Sequence, residues 1–60
     1  MSEELSICWS LLFETKDGMI HPIRVSYPKV VTREEAEIAA KEYLAKHDWL
    51  KSIEDIYPTQ

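Results

Sequence analysis

The chain carries one glycine, one cysteine and three prolines in 60 residues, and only seven basic side chains against eleven acidic ones. A single glycine cannot build a phosphate-cradling loop, which needs several positions where backbone approaches a ligand without a Cβ. A lone Cys8 excludes an internal disulfide, and with His21 and His47 as the only histidines a closed zinc site would have to be completed by carboxylates at unrecognisable spacings. No cofactor or metal is therefore expected. The shortage of basic residues, with a net charge of -4 and a pI of about 5.0, removes phosphate neutralisation as a driving force, so direct nucleic-acid binding is not expected either. The apolar stretch Ile7 to Phe13 is far shorter than the roughly 20 residues that span a bilayer. Met1-Ser2-Glu3-Glu4 is acidic where a secretory signal is basic, and a lone thiol fits a reducing compartment, so the expected setting is cytoplasmic and away from membranes.

Hydrophobic residues at 45% and charged residues at 30% are those of a chain that folds. Residues 1–60 are read as a single domain near the lower size limit for an independent core. With disulfide and metal excluded, association with a partner or with a second copy remains as an aid to stability.

Alternation over 6–14 places Ile7, Trp9, Leu11 and Phe13 on one side of a strand and Cys8, Ser10, Leu12 and Glu14 on the other. A second strand over 19–27 sets His21, Ile23, Val25 and Tyr27 on one side. Between them Asp17-Gly18 permits two hairpins. A two-residue turn pairs Leu11 with Arg24 and mixes apolar with polar sides; a three-residue loop, Lys16-Asp17-Gly18, pairs Leu11 with Ile23, Trp9 with Val25 and Ile7 with Tyr27. The pattern favours the longer loop with Gly18 at positive φ. Pro22 cannot donate to a ladder, so the second strand belongs at a sheet edge.

Thr32 through Ala36 is a helix start with Thr32 as cap and Glu35 in capping-box position, and the helix is expected over 33–46. Its stripe of Ala36, Ala39, Ala40, Tyr43, Leu44 and His47 suits close packing on the hairpin, and Glu37–Lys41 and Glu42–Lys46 stand at ion-pair spacing. Residues 49–57 fit either a short helix, by the clustering of Trp49, Leu50, Ile53, Ile56 and Tyr57 on one helical face, or a third strand. Two strands make a poor sheet and the first is apolar enough to be central, which favours the strand and the order 2-1-3, with Pro58 ending it. The expected class is α+β: a three-stranded antiparallel sheet with one helix on one face, in the order β-β-α-β.

Enzymatic constellations are thin. Ser6, Ser10, Ser26 and Ser52 lack a nucleophile-elbow context, and Cys8 and His21 fall on opposite sides of the hairpin. The aromatic residues are better read as core than as a base-stacking platform. More telling are Leu12, Ile20 and Pro22 on the outer side of the hairpin, beside Arg24, because one helix covers only one side of a sheet; Ile38 lies on the outward side of the helix. Free edges of the second and third strands offer strand addition. Glu34, Glu37 and Glu42 make an acidic helix face that could steer a basic partner, with Asp48, Glu54 and Asp55 beyond it and Glu3 and Glu4 at the start.

A Trp-bearing first strand, the step Pro22-Ile23, then Thr32 to Glu35-Ala36 and Ala40 to Tyr43 together resemble a group of very small α+β proteins of bacteriophages and mobile elements, among them short phage inhibitors of host RNA polymerase. The likeness covers roughly residues 9 to 57, with Tyr27-Pro28-Lys29 as an extra stretch before the helix. It implies a protein that binds a larger host machine without chemistry, inhibiting or modulating it. The residues expected to carry such contacts are Leu12, Ile20, Pro22, Arg24 and Ile38, with Glu34, Glu37 and Glu42 steering. The alternative expectation is a structural homo-oligomer, such as a homodimer, or an accessory subunit that buries its outer sheet face against its own copy.

Overall fold

A computed structural model of the chain describes residues 5–59. Strand β1 (Leu5–Thr15) leads through a tight loop into β2 (Ile20–Thr32), followed by helix α1 (Arg33–Lys46) and strand β3 (Leu50–Thr59). The sheet is antiparallel with the order β2-β1-β3, so the most apolar strand is central and the fold is α+β in the order β-β-α-β.

The hairpin takes the longer loop. Leu11 pairs with Ile23 and Trp9 with Val25, and Lys16-Asp17-Gly18 bridges Thr15 to Met19 with Gly18 at φ 85°. Thr15 closes the loop three ways: its N–H donates to Met19 O (2.8 Å), its carbonyl accepts from Gly18 N–H (3.0 Å) and its hydroxyl accepts from Met19 N–H (3.0 Å). That register turns Trp9, Leu11 and Phe13 inward, where all three are at most 1% exposed. Ala36 and Ala40 of α1 are as fully buried, because a methyl side chain lets the helix axis approach the sheet, and Leu50 and Ile56 complete the core. Burying side chains as large as Trp9, Leu11 and Phe13 stabilises by about 1.5–3 kcal/mol each.

One expectation of register fails, at a β-bulge. Ile7 does not pair with Tyr27: between Cys8–Ser26 and Ser6–Val31 the single residue Ile7 faces the four residues Tyr27 to Val30, and Ile7 is 49% exposed. Ser6 takes the inward place instead. Its hydroxyl accepts from Cys8 N–H (3.2 Å) and lies 2.9 Å from the carbonyls of both Cys8 and Thr59, to either of which its one proton can be donated. Its carbonyl accepts from Trp9 Nε1 (3.1 Å). A hydroxyl so bonded is tolerated at a buried position. Pairing then resumes at Val31 and Thr32, so β2 runs five residues past the expected end at Tyr27.

Strand β3 carries the other two bulges. Asp55 pairs with Leu12 and Ile53 with Phe13, leaving Glu54 extra; Ser52 pairs with Glu14 and Leu50 with Thr15, leaving Lys51 extra. Leu50, Ile53 and Ile56 therefore face inward at a spacing of three, which is why the segment reads like a helix. Pro58 does not end the strand; it pairs with Trp9 and the strand continues to Thr59, as an edge position allows. Thr32 caps the helix by accepting from Glu35 N–H (3.3 Å), as expected. Among the described residues Glu37 bonds back to Arg33 (Nε to Oε2 3.4 Å) rather than forward to Lys41.

A Cβ at Gly18 would meet nothing within 4 Å, so substitution there is penalised by backbone conformation alone. Gly18→Ala is expected to lose about 1 kcal/mol and Gly18→Asn distinctly less, since asparagine tolerates the left-handed region. The shift of the urea unfolding midpoint measures both.

Candidate binding surfaces

The register assigns each paired strand residue to a face. On the side away from α1 stand three columns: Ile20, Pro22, Arg24 and Ser26 on β2; Glu14, Leu12, Ser10 and Cys8 on β1; Ser52, Asp55, Tyr57 and Thr59 on β3. No described element covers this face, since α1 packs against Trp9, Leu11 and Phe13 on the other. Leu12 lies near its middle, half-buried between Pro22 and Asp55, and Ile20 is 51% exposed. The structure thus brings Leu12, Ile20, Pro22 and Arg24 together. Cys8 Sγ approaches Ser26 Oγ (3.4 Å) on the same face.

Ile38, Glu34, Glu37 and Glu42 do not join them. All four sit on α1, across the sheet from Leu12, and Ile38 points away from Ala36 and Ala40 with 51% exposure. The two groups therefore lie on opposite sides of the sheet. Glu3 and Glu4 lie outside the described residues.

Sequence reasoning missed a circuit at the hairpin end, made of four ring contacts and one strand pairing. Phe13 stacks on Tyr43 (centroids 5.2 Å), Tyr43 meets His47 (4.2 Å), His47 meets Trp49 (5.8 Å), and Trp49 takes His21 edge-on (4.9 Å), while His21 is the cross-strand partner of Phe13. His47 is the C-cap of α1, its N–H donating to Leu44 O (3.4 Å), and its carbonyl accepts from Leu50 N–H (3.1 Å). Trp49 O accepts from Lys16 N–H (3.1 Å). The circuit ties the helix end to both the hairpin loop and the start of β3. The signal was available: His21 and Phe13 share a face in the expected register, and Tyr43 and His47 are one turn apart.

At the opposite end of the sheet an open groove of about 380 Å³ is lined by Leu5, Ser6, Ile7, Cys8, Val30 and Thr59. Cys8 and His21 are separated by the length of five β1 residues as well as by the sheet itself. Among the described residues no group of three or more His, Cys, Asp or Glu side chains is placed to hold a metal ion, and no helix is long and apolar enough to cross a membrane.

Two buried hydroxyls, those of Tyr27 and Thr59, have no hydrogen-bond partner among the described residues. Burial raises the Tyr27 phenol above its usual range of about 10, and the charges of Glu35 and then Glu42 on α1 raise it further.

A scan against protein families, a search of curated proteins and a search of solved structures each returned no match.

The folded state holds the Tyr27 proton more tightly than the unfolded chain, so its contribution is unchanged below the ordinary tyrosine range and stability falls as pH climbs through and beyond it. Tyr27→Phe removes that alkaline loss together with an unpaired hydroxyl, and is expected to gain up to about 1 kcal/mol at neutral pH. Unfolding curves of both proteins from pH 7 to strongly alkaline conditions measure the two effects.

Proposed function

We propose that this chain is a small non-enzymatic binding protein that meets a larger protein partner through the outer face of its sheet and inhibits or modulates it by occupying a surface. That is the mode implied by the likeness to small proteins of phages and mobile elements. What supports the reading is an uncovered sheet face with an apolar centre, Leu12 between Ile20 and Pro22 on one side and Tyr57 on the other, rimmed by Arg24, Glu14 and Asp55. Apolar centre and polar rim are the anatomy of a specific interface.

The same face favours a different protein over a second copy. In a two-fold contact that sets Leu12 on its own copy, an axis along β1 puts Glu14 against Glu14, and an axis across the strands puts Asp55 against Asp55. Either arrangement desolvates like charges. Glu34, Glu37 and Glu42 lie on the helix layer and reach this contact only through the longer-range field, which salt screens.

Affinity capture from a host lysate, followed by identification of the captured protein, tests the assignment. Leu12→Lys and Arg24→Glu are each expected to weaken capture roughly tenfold or more while the melting curve stays cooperative, whereas Ile38→Lys leaves capture intact. Light scattering is expected to report a monomer at micromolar concentration. Capture unaffected by both outer-face changes overturns the reading, and a stable dimer broken by Leu12→Lys replaces it with self-association.

A further inference from the structure

Two sheet edges stand open among the described residues, and they are not equivalent. The β3 edge is broken by bulges at Lys51 and Glu54, carries those charges and Asp55, and holds a proline at 58, one residue before its end. These are the devices that block strand pairing, so the expected strand addition at β3 is disfavoured by its own geometry. The β2 edge is regular from Ile20 to Ser26. Because Thr15 and Met19 form a hydrogen-bonded pair, so do Phe13–His21, Leu11–Ile23 and Trp9–Val25, and the backbone groups of Ile20, Pro22, Arg24 and Ser26 face away from β1. Pro22 lacks only its N–H there, leaving three donors and four acceptors in register.

The helix side of this edge is also incompletely covered. The helix sits closer to β3 than to β2. Ile23, Val25 and Tyr27 are packed against the core yet only half-buried, whereas the inward residues of β1 are sealed. Above them run Glu35 and Glu42, seven residues apart and so on one side of α1. Glu35 stands in the first turn of α1, where its N–H is held by Thr32, the last residue of β2, and the charges of both acids reach the Tyr27 phenol on that strand. The result is a shelf with a free backbone edge, an apolar floor and an acidic overhang.

We propose that the outer edge of β2 docks an extended basic segment of another protein, which adds as a fourth strand beside residues 20–26 and lays lysine or arginine stems over Val25 and Tyr27 toward Glu35 and Glu42. Backbone pairing supplies the affinity and the acids select the side chains. Long basic side chains suit the shelf because their methylene stems cover apolar surface while the charged tip reaches a carboxylate. This site lies beyond the outer-face contact: its side chains are on the helix side of the sheet, and different substitutions test it.

The probe is a short blocked peptide of alternating lysine and threonine, titrated into isotope-labelled protein. Amide signals of Ile20, Arg24 and Ser26 are expected to shift and to exchange more slowly with solvent. Ser26→Pro removes one outward donor at a position whose N–H makes no bond to β1, and is expected to weaken binding roughly tenfold or more; Ser26→Ala keeps the donor and the binding. Should Ser26→Pro fail to fold, the double variant Glu35→Gln with Glu42→Gln leaves the backbone untouched and is expected to weaken binding several-fold, as does added salt. An alternating glutamate–threonine peptide is expected not to bind. Absence of shifts with the lysine peptide, equal binding by the glutamate peptide, or binding undiminished in folded Ser26→Pro overturns the proposal.

Discussion

The arrangement of this molecule depends on the length of one loop. Gly18 at φ 85° lets Lys16-Asp17-Gly18 close the hairpin in three residues, and that count sets Leu11 opposite Ile23. A loop one residue shorter would put Leu11 opposite Arg24 and send the side chains of β2 to the wrong faces relative to β1. From the observed register follow the inward row of Trp9, Leu11 and Phe13, the side of the sheet on which an alanine-bearing helix can settle, and the composition of the face left over. Every surface considered as a binding site is what remains after this choice is made.

One helix of 14 residues cannot seal a three-stranded sheet, and its position decides where the deficit falls. By leaning toward β3 it completes the core with Leu50 and Ile56, and leaves Ile23, Val25 and Tyr27 half-covered at the other side. The uncovered face is tolerable in water because serines, Glu14, Arg24 and Asp55 are interspersed with Leu12 and Ile20. The Tyr27 hydroxyl, without a partner among the described residues, shows that even the covered side is not fully satisfied. These are the costs of building a core from few residues, and the open surfaces have the same origin.

The parts of the fold legible in the sequence are those governed by local chemistry. The hairpin register follows from one glycine and two alternating runs, and the helix limits from the Thr32 cap and the spacing of alanines. What was obscured is what bulges obscure. Leu50, Ile53 and Ile56 recur every third residue because Lys51 and Glu54 are extra, so a strand carries a near-helical period. Ile7 is displaced by a serine whose value lies in hydrogen bonds to Cys8 and Thr59, the second 53 residues away, which no local pattern reveals. Strand parity groups Leu12, Ile20, Pro22 and Arg24, and the alanine stripe already puts Ile38 and the helix acids in the layer on the other side of the sheet.

The two proposed surfaces share a strand without sharing side chains. Pro22 and Arg24 present their side chains to the outer face, while the backbone of those same residues forms the open edge and Val25 and Tyr27 line the shelf behind. A strand added beside β2 would itself alternate, so every second side chain of it would stand next to Pro22 and Arg24 and widen the outer face by one column. Occupation of the edge would therefore enlarge the surface available to an outer-face contact rather than compete with it. A single partner that enters as a basic strand and turns across the sheet could bury both, which is the simplest way for so small a chain to present an interface larger than its own uncovered face.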